Sequence, residues 1–162
     1  MKKKVIYSGF VREKKEIIKN LKDKYDWNPT VITGTKSDED WYRNQFKNSL
    51  FFDNMDLRNG RFQYSESIIF NPAGIGVLDK LSKYSLNFFL LLEETSKWNF
   101  SMRERQSFYY ENINFWNSVL SSSKTDIVVF YTWPHNSSDY SLYLVAKYIL
   151  GIDVLFLDST EH

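Results

Sequence analysis

Of the two histidines in this 162-residue chain, only His135 lies away from the last residue. It stands in Phe130-Tyr131-Thr132-Trp133-Pro134-His135-Asn136-Ser137-Ser138-Asp139, where an apolar run gives way to a polar loop. A neutral imidazole, with a pKa of about 6.5, can take a proton from a hydroxyl, and a carboxylate that fixes its tautomer makes it a better base. Asp139, four residues on, is the candidate orienter; it equally suits the positive end of a helix beginning there. Trp133 offers a flat face for a sugar or base, or a ring that packs a hinge. Gly9, followed by Phe10, and Gly34 close two other apolar runs. Their backbone N–H groups could approach a phosphate, yet neither has G-x-G-x-x-G or Walker spacing, and a tight strand-to-helix turn explains both. Arg103-Glu104-Arg105 follows Ser101 as a Ser-x-x-Glu capping box. The box accounts for Glu104. Arg103 and Arg105, cations near a positive helix end, are candidates for holding a phosphate or an acidic sugar, against the simpler reading of a solvated turn.

Other chemistries find no residues. Cysteine is absent, which removes disulfides, a thiol nucleophile and thiolate metal sites. No His/Asp/Glu set has metal-ligand spacing, and no serine sits in G-x-S-x-G. The balance of 21 basic and 20 acidic side chains, net +1, gives no long-range field for nucleic acid. The greasiest run, Asn87 to Leu92, falls well short of the roughly 20 residues that span a bilayer. The expected location is the cytoplasm. No metal and no cofactor are expected.

The elements that must position these residues are legible as apolar runs. Strands are expected at Lys4–Ser8, Thr30–Thr33 after an Asn28-Pro29 break, Asp126–Tyr131 and Ile152–Leu157, with Leu50–Phe52 and Ser67–Phe70 as further candidates. Helical spacing covers about 12–25, a second helix capped by Ser37 and ending near Lys47, one long helix carrying Val77, Leu81, Tyr84, Phe88 and Leu91, and another carrying Tyr109, Ile113, Trp116 and Leu120. A last helix, about Ser138 to Leu150, stops at Gly151. The strands are continuous apolar runs that alternate with helices, which requires a sheet covered on both faces by crossover helices. The expected fold is a doubly wound, mostly parallel α/β sheet of Rossmann type, as one domain over residues 1–162. In such sheets ligands bind beyond the carboxyl ends of the strands, where strand order reverses.

The segment "TDIVVFYTWPHNSSDYSLYLVAKYILGIDVLFLDST", with its Pro134-His135, Asp139, Leu142–Lys147 and Gly151-Ile152, resembles the N-terminal domain of bacterial sugar transferases of the GT-B architecture, especially those of capsule and surface-polysaccharide biosynthesis. The resemblance implies a Rossmann-like domain that holds a sugar or glycan acceptor and supplies the base. The nucleotide-sugar donor would be held mostly by a second domain, which makes this chain the N-terminal half of a longer protein or one member of a dimer. His135 would then be the base, with Asp139 beside it. Trp133, Gly9, Phe10, Gly34, Arg103 and Arg105 would bind substrate. The alternative is a non-catalytic module that uses the same rim for a small ligand or an assembly partner.

Overall fold

The computed structural model describes residues 2–95 and 99–157. Strands β1 (Lys3–Ser8), β2 (Trp27–Gly34), β3 (Leu50–Asp53), β4 (Ile127–Phe130) and β5 (Asp153–Phe156) form one all-parallel sheet in the order β3-β2-β1-β4-β5. The order reverses between β1 and β4. Successive residues of β1, β2, β3 and β4 feed opposite cores, as the two-residue side-chain period requires, whereas β5 contributes only Val154 and Phe156 to one of them. Val5, Tyr7, Ile32, Ile127 and Val129 pack under helices α1 (Lys15–Tyr25) and α2 (Glu39–Gln45), against Ile18 and Tyr42. Ile6, Val31, Phe52, Val128 and Phe130 face the other way, into the larger core. That core is closed by α3 (Asn54–Arg58), α4 (Ile75–Ser82), α5 (Ser85–Thr95), α6 (Met102–Ser123) and α7 (Ser137–Leu144). Helices cover both faces of the sheet except at the edge strand β5, where Asp153 and Leu155 are exposed on one face, and the fold is the expected Rossmann-like α/β arrangement.

The helix α6 packs in the larger core against α7, the helix that follows β4. Its N-terminus carries the capping box read from the sequence: Ser101 Oγ accepts from the Glu104 N–H, and the Glu104 carboxylate accepts from the Ser101 N–H. Trp116, fully buried, donates from Nε1 to Ser138 Oγ at 3.2 Å and so ties the middle of α6 to the first turn of α7.

Four local expectations fail, each for a physical reason. Pro29 does not end a segment; it lies inside β2, where the register steps from Val5↔Pro29 to Ile6↔Val31 and leaves Thr30 as a bulge. A bulge is where a residue without an N–H can enter a ladder. Ser37 is not the cap of α2, because it sits within a short 3-10 turn, Lys36–Asp38. Residues 67–70 are not a strand. They lie along α6, whose side chains take over the pairing: Ser122 accepts from the Ile69 N–H, Ser118 from Asn71 and Asn114 from Ala73. The long helix through Tyr84 is broken into α4 and α5. The Leu81 carbonyl accepts from both the Tyr84 N–H at 2.9 Å and the Tyr109 hydroxyl at 2.7 Å. An α-helix would have given that carbonyl to residue 85.

Candidate functional site

Three strand ends converge where the sheet order reverses. β1 ends at Ser8, and Gly9 turns the chain with φ +84°, a conformation that only glycine adopts without strain. A Cβ at Gly9 would lie 3.7 Å from Tyr131 Cβ, so the loops after β1 and β4 run side by side. After β4 the chain passes through Tyr131 to His135 and enters α7 at Asn136. Asn136 is the cap: its Oδ1 accepts from the Asp139 N–H at 3.0 Å.

The centre of this edge is a buried hydrogen-bond chain. Ser8 Oγ donates to Asp139 Oδ1 at 2.7 Å and lies 2.9 Å from Thr33 Oγ1. A hydroxyl has one proton; once Ser8 gives it to the carboxylate, Thr33 must be the donor to Ser8. The second carboxylate oxygen, Oδ2, accepts from the Asn136 side-chain amide. Ser8, Thr33, Asn136 and Asp139 are all buried, and no ion pair reaches Asp139 among the described residues. The carboxylate is held by neutral donors and by its place in the first turn of α7, near the positive helix end. Beside it the Ser137 hydroxyl is buried without a partner.

His135 stands above this chain and is exposed. Its Nδ1 lies 3.2 Å from the Trp133 carbonyl oxygen. Asp139 is therefore not its orienter here, since both carboxylate oxygens are engaged by Ser8 and Asn136. Trp133 is 59% exposed, with one face stacked on Phe156 at 4.1 Å and 21°. Lys14 Nζ sits 3.8 Å above the Tyr131 ring on the neighbouring loop.

The remaining sequence candidates divide. Phe10 is fully buried between Tyr7 and Tyr131, and its carbonyl accepts from the Tyr42 hydroxyl, so its ring supports the loop rather than a ligand. Gly34 ends β2, where a Cβ would come within 3.1 Å of Phe51 and 3.2 Å of Tyr42. The stack of those two rings explains the glycine without a phosphate. Arg105 donates from Nε to the Phe100 carbonyl and pairs with Glu93 of α5; Arg103 is exposed. Along α6 Arg105 lies about 16 Å and Arg103 about 20 Å from Trp116, the residue that ties α6 to the start of α7. No cluster of three His, Cys, Asp or Glu that could hold a metal ion occurs among the described residues.

No protein-family model matches the chain, and no curated protein matches it.

Sequence reasoning singled out Trp133, His135 and the buried Asp139 and missed the partners of that carboxylate, Ser8, Thr33 and Asn136. One signal was available. Ser8 and Thr33 are polar residues ending two apolar strands, and they are register partners in the sheet. Further along the same edge, beyond β2 and β3, lies a small charged cleft of about 50 Å³. Its side chains pair off: Lys36 and Arg43 with Glu39, Arg61 with Asp56. The hydrogen bonds from Lys36 and Arg43 hold the Glu39 carboxyl below its usual pKa range.

Proposed function

We propose that this chain is the acceptor-side domain of a glycosyltransferase of polysaccharide or glycoconjugate biosynthesis, with the β1–β4 rim holding a sugar. One observation carries the reading. An exposed indole and an exposed imidazole stand two residues apart at the strand-order reversal, on a loop anchored from below by the Ser8–Asp139–Asn136 hydrogen bonds. Trp133 would stack on the apolar face of the acceptor ring. His135 would take the proton of the acceptor hydroxyl as its oxygen bonds to the anomeric carbon of the donor and the bond from that carbon to the leaving phosphate oxygen breaks. The donor, a nucleotide-sugar, would be presented by a second domain or a partner chain.

A specific observation favours a second reading, a binding module without turnover. Asp139 is committed to Ser8 and Asn136, which leaves His135 only the Trp133 carbonyl as an orienting partner. One comparison separates the two. In the full-length protein, His135→Ala is expected to abolish sugar transfer while leaving glycan binding intact and stability changed by less than about 1 kcal/mol, because an exposed side chain supports little packing. Unchanged transfer in His135→Ala would remove His135 as the base, and glycan binding with no transfer by the unaltered full-length protein would select the module. Absence of any glycan-induced change in the Trp133 indole resonance would overturn both.

A further inference from the structure

The stacking that begins at Trp133 does not end at Phe156. Phe156 meets Tyr143 at 6.1 Å, Tyr143 meets Tyr148 at 6.0 Å, and Tyr148 stacks on Tyr84 at 5.0 Å and 22°. Five rings thus run in an unbroken path from the rim, down the outside of α7, to the junction of α4 and α5. The path runs along the border of the larger core: Tyr84, Tyr143 and Phe156 pack against it, and Phe156 also stacks on the buried Phe130 at 5.5 Å, so the outward faces and edges of the rings are what a ligand could meet. Tyr148 is 49% exposed, and Tyr84, Tyr143 and Phe156 are only partly covered.

A backbone irregularity makes the path possible. After α7 the chain takes a single π turn, Val145–Ile149, in which the Leu150 N–H bonds to the Val145 carbonyl at 3.0 Å. In an α-helix, residues five apart point about 140° away from each other. The wider π turn brings residue i+5 back over residue i, and so brings Tyr148 edge-on to Tyr143. Such single π turns carry a cost and recur at functional sites.

The end of the path is an open cleft of about 340 Å³ lined by Asp79, Lys80, Lys83, Tyr84 and Tyr148. Lys80, Lys83 and the adjacent Lys147 are exposed and form no ion pair among the described residues; Lys83 Nζ lies 5.0 Å from the Tyr84 ring centre. Hydrogen bonding by the Tyr143 and Tyr84 hydroxyls, helped by Lys147 and Lys83, draws the Tyr148 hydroxyl below the usual tyrosine pKa. The surface therefore combines flat apolar faces, hydroxyl tips at three of its rings, and unpaired cations at one end.

We propose that the path Trp133–Phe156–Tyr143–Tyr148–Tyr84 binds an extended acidic polysaccharide, its sugar rings along the aromatic faces and its carboxylates at Lys83 and Lys147. The chemistry selects this occupant. Pyranose rings present C–H faces to aromatic rings and hydroxyls to tyrosine tips, whereas an apolar protein partner would leave those hydroxyls and lysines unmatched. The inference rests on the reading that this chain handles glycans and extends it from one acceptor sugar at the rim to a polymer.

The test is calorimetric titration of the full chain with an oligogalacturonate and with a neutral malto-oligosaccharide of equal length. The oligogalacturonate is expected to bind more tightly than the neutral probe, and less tightly as salt is raised. Tyr148→Ala should weaken both probes by about tenfold or more. The double change Lys83→Ala with Lys147→Ala should weaken only the acidic one. Both positions are exposed, so these variants are expected to fold, which circular dichroism checks. Arg61→Ala, beside Asp56 at the β2–β3 end of the sheet edge, should bind as the unaltered chain does. Unchanged affinity in Tyr148→Ala, or binding to phosphatidylserine vesicles in place of either sugar, would overturn the proposal. If Tyr148→Ala loses binding but the full-length protein transfers no sugar, the enzyme reading fails and the glycan path stands. If transfer depends on His135 and Tyr148→Ala binds normally, the path alone fails.

Discussion

The carboxyl edge of this sheet is built in two ways. At the β1–β4 reversal a single carboxylate, Asp139, is buried among neutral donors, with Ser8 and Thr33 from two strands and Asn136 from a helix cap. At the β2–β3 end, the exposed cations Lys36, Arg43 and Arg61 pair with the partly buried carboxylates of Glu39 and Asp56. The two arrangements differ in what water can do. Exposed pairs exchange one solvated state for another, so each is worth little. A buried carboxylate with fixed donors has no such alternative, and the loss of any partner leaves a desolvated group unsatisfied. The first end can hold a loop in place. The second can be rearranged cheaply.

This contrast is broken most directly by Asp139→Ala. The Asn136 side-chain amide would be left buried without its acceptor, Ser8 would have only the Thr33 hydroxyl to donate to, and the cap of α7 would lose its reciprocal bond. A loss of about 2–4 kcal/mol in urea unfolding is expected. A loss below about 0.5 kcal/mol would show that the buried chain is not what anchors the rim. Ser8→Ala should come next, at about 1–2 kcal/mol, because Thr33 can turn its proton elsewhere but Asp139 loses one of two donors.

Asp38 provides an intermediate case and a pH signature. Burial alone would raise its pKa, but hydrogen bonds from the Lys15 ammonium, the Thr35 hydroxyl and the Arg12 N–H outweigh burial and lower it. A folded-state pKa below the unfolded value means that the stabilisation is complete above the unfolded value, about 3.8, and fades as pH falls through the folded one. Asp38→Asn should therefore destabilise the protein at pH 7, and the difference from the unaltered chain should shrink in acid melts below pH of about 4. A difference that grew in acid would reverse the sign of this assignment. The smallest effect belongs to Arg61→Ala, whose partner Asp56 is 3.4 Å away in solvent. It should shift unfolding by less than about 0.5 kcal/mol, and added salt should erase even that.

Much of the fold was legible because burial on both faces writes itself into composition. Val5-Ile6-Tyr7 and Ile127-Val128-Val129-Phe130 have no polar interruption, and every one of those residues is buried. The α6 cap was legible because the Ser101–Glu104 exchange is completed within four residues. The break at Tyr84 was not, since it depends on Tyr109 reaching the Leu81 carbonyl across 28 positions. Nor was the placement of residues 67–70, where apolar Ile68-Ile69-Phe70 reads as strand but serine and asparagine side chains of α6 supply the bonds. The candidate site shows the same division. His135, Trp133 and Asp139 stood out as residue types in one loop, while Ser8 and Thr33 were ordinary strand residues until the register paired them.

The sequence by itself determined the parallel, doubly covered sheet, the capped α6 and the exposure of a loop that carries an indole and an imidazole. These follow from side-chain period, local capping and turn chemistry, which act over a few residues. Only the tertiary structure decided that Asp139 serves Ser8, 131 positions away, instead of its near neighbour His135. It alone also brought the rings of Trp133, Phe156, Tyr143, Tyr148 and Tyr84, from five separate stretches of local structure, into contact one after another. A hydrogen bond or a ring stack is a short-range interaction in space, and only the completed sheet order brings such distant residues within its reach.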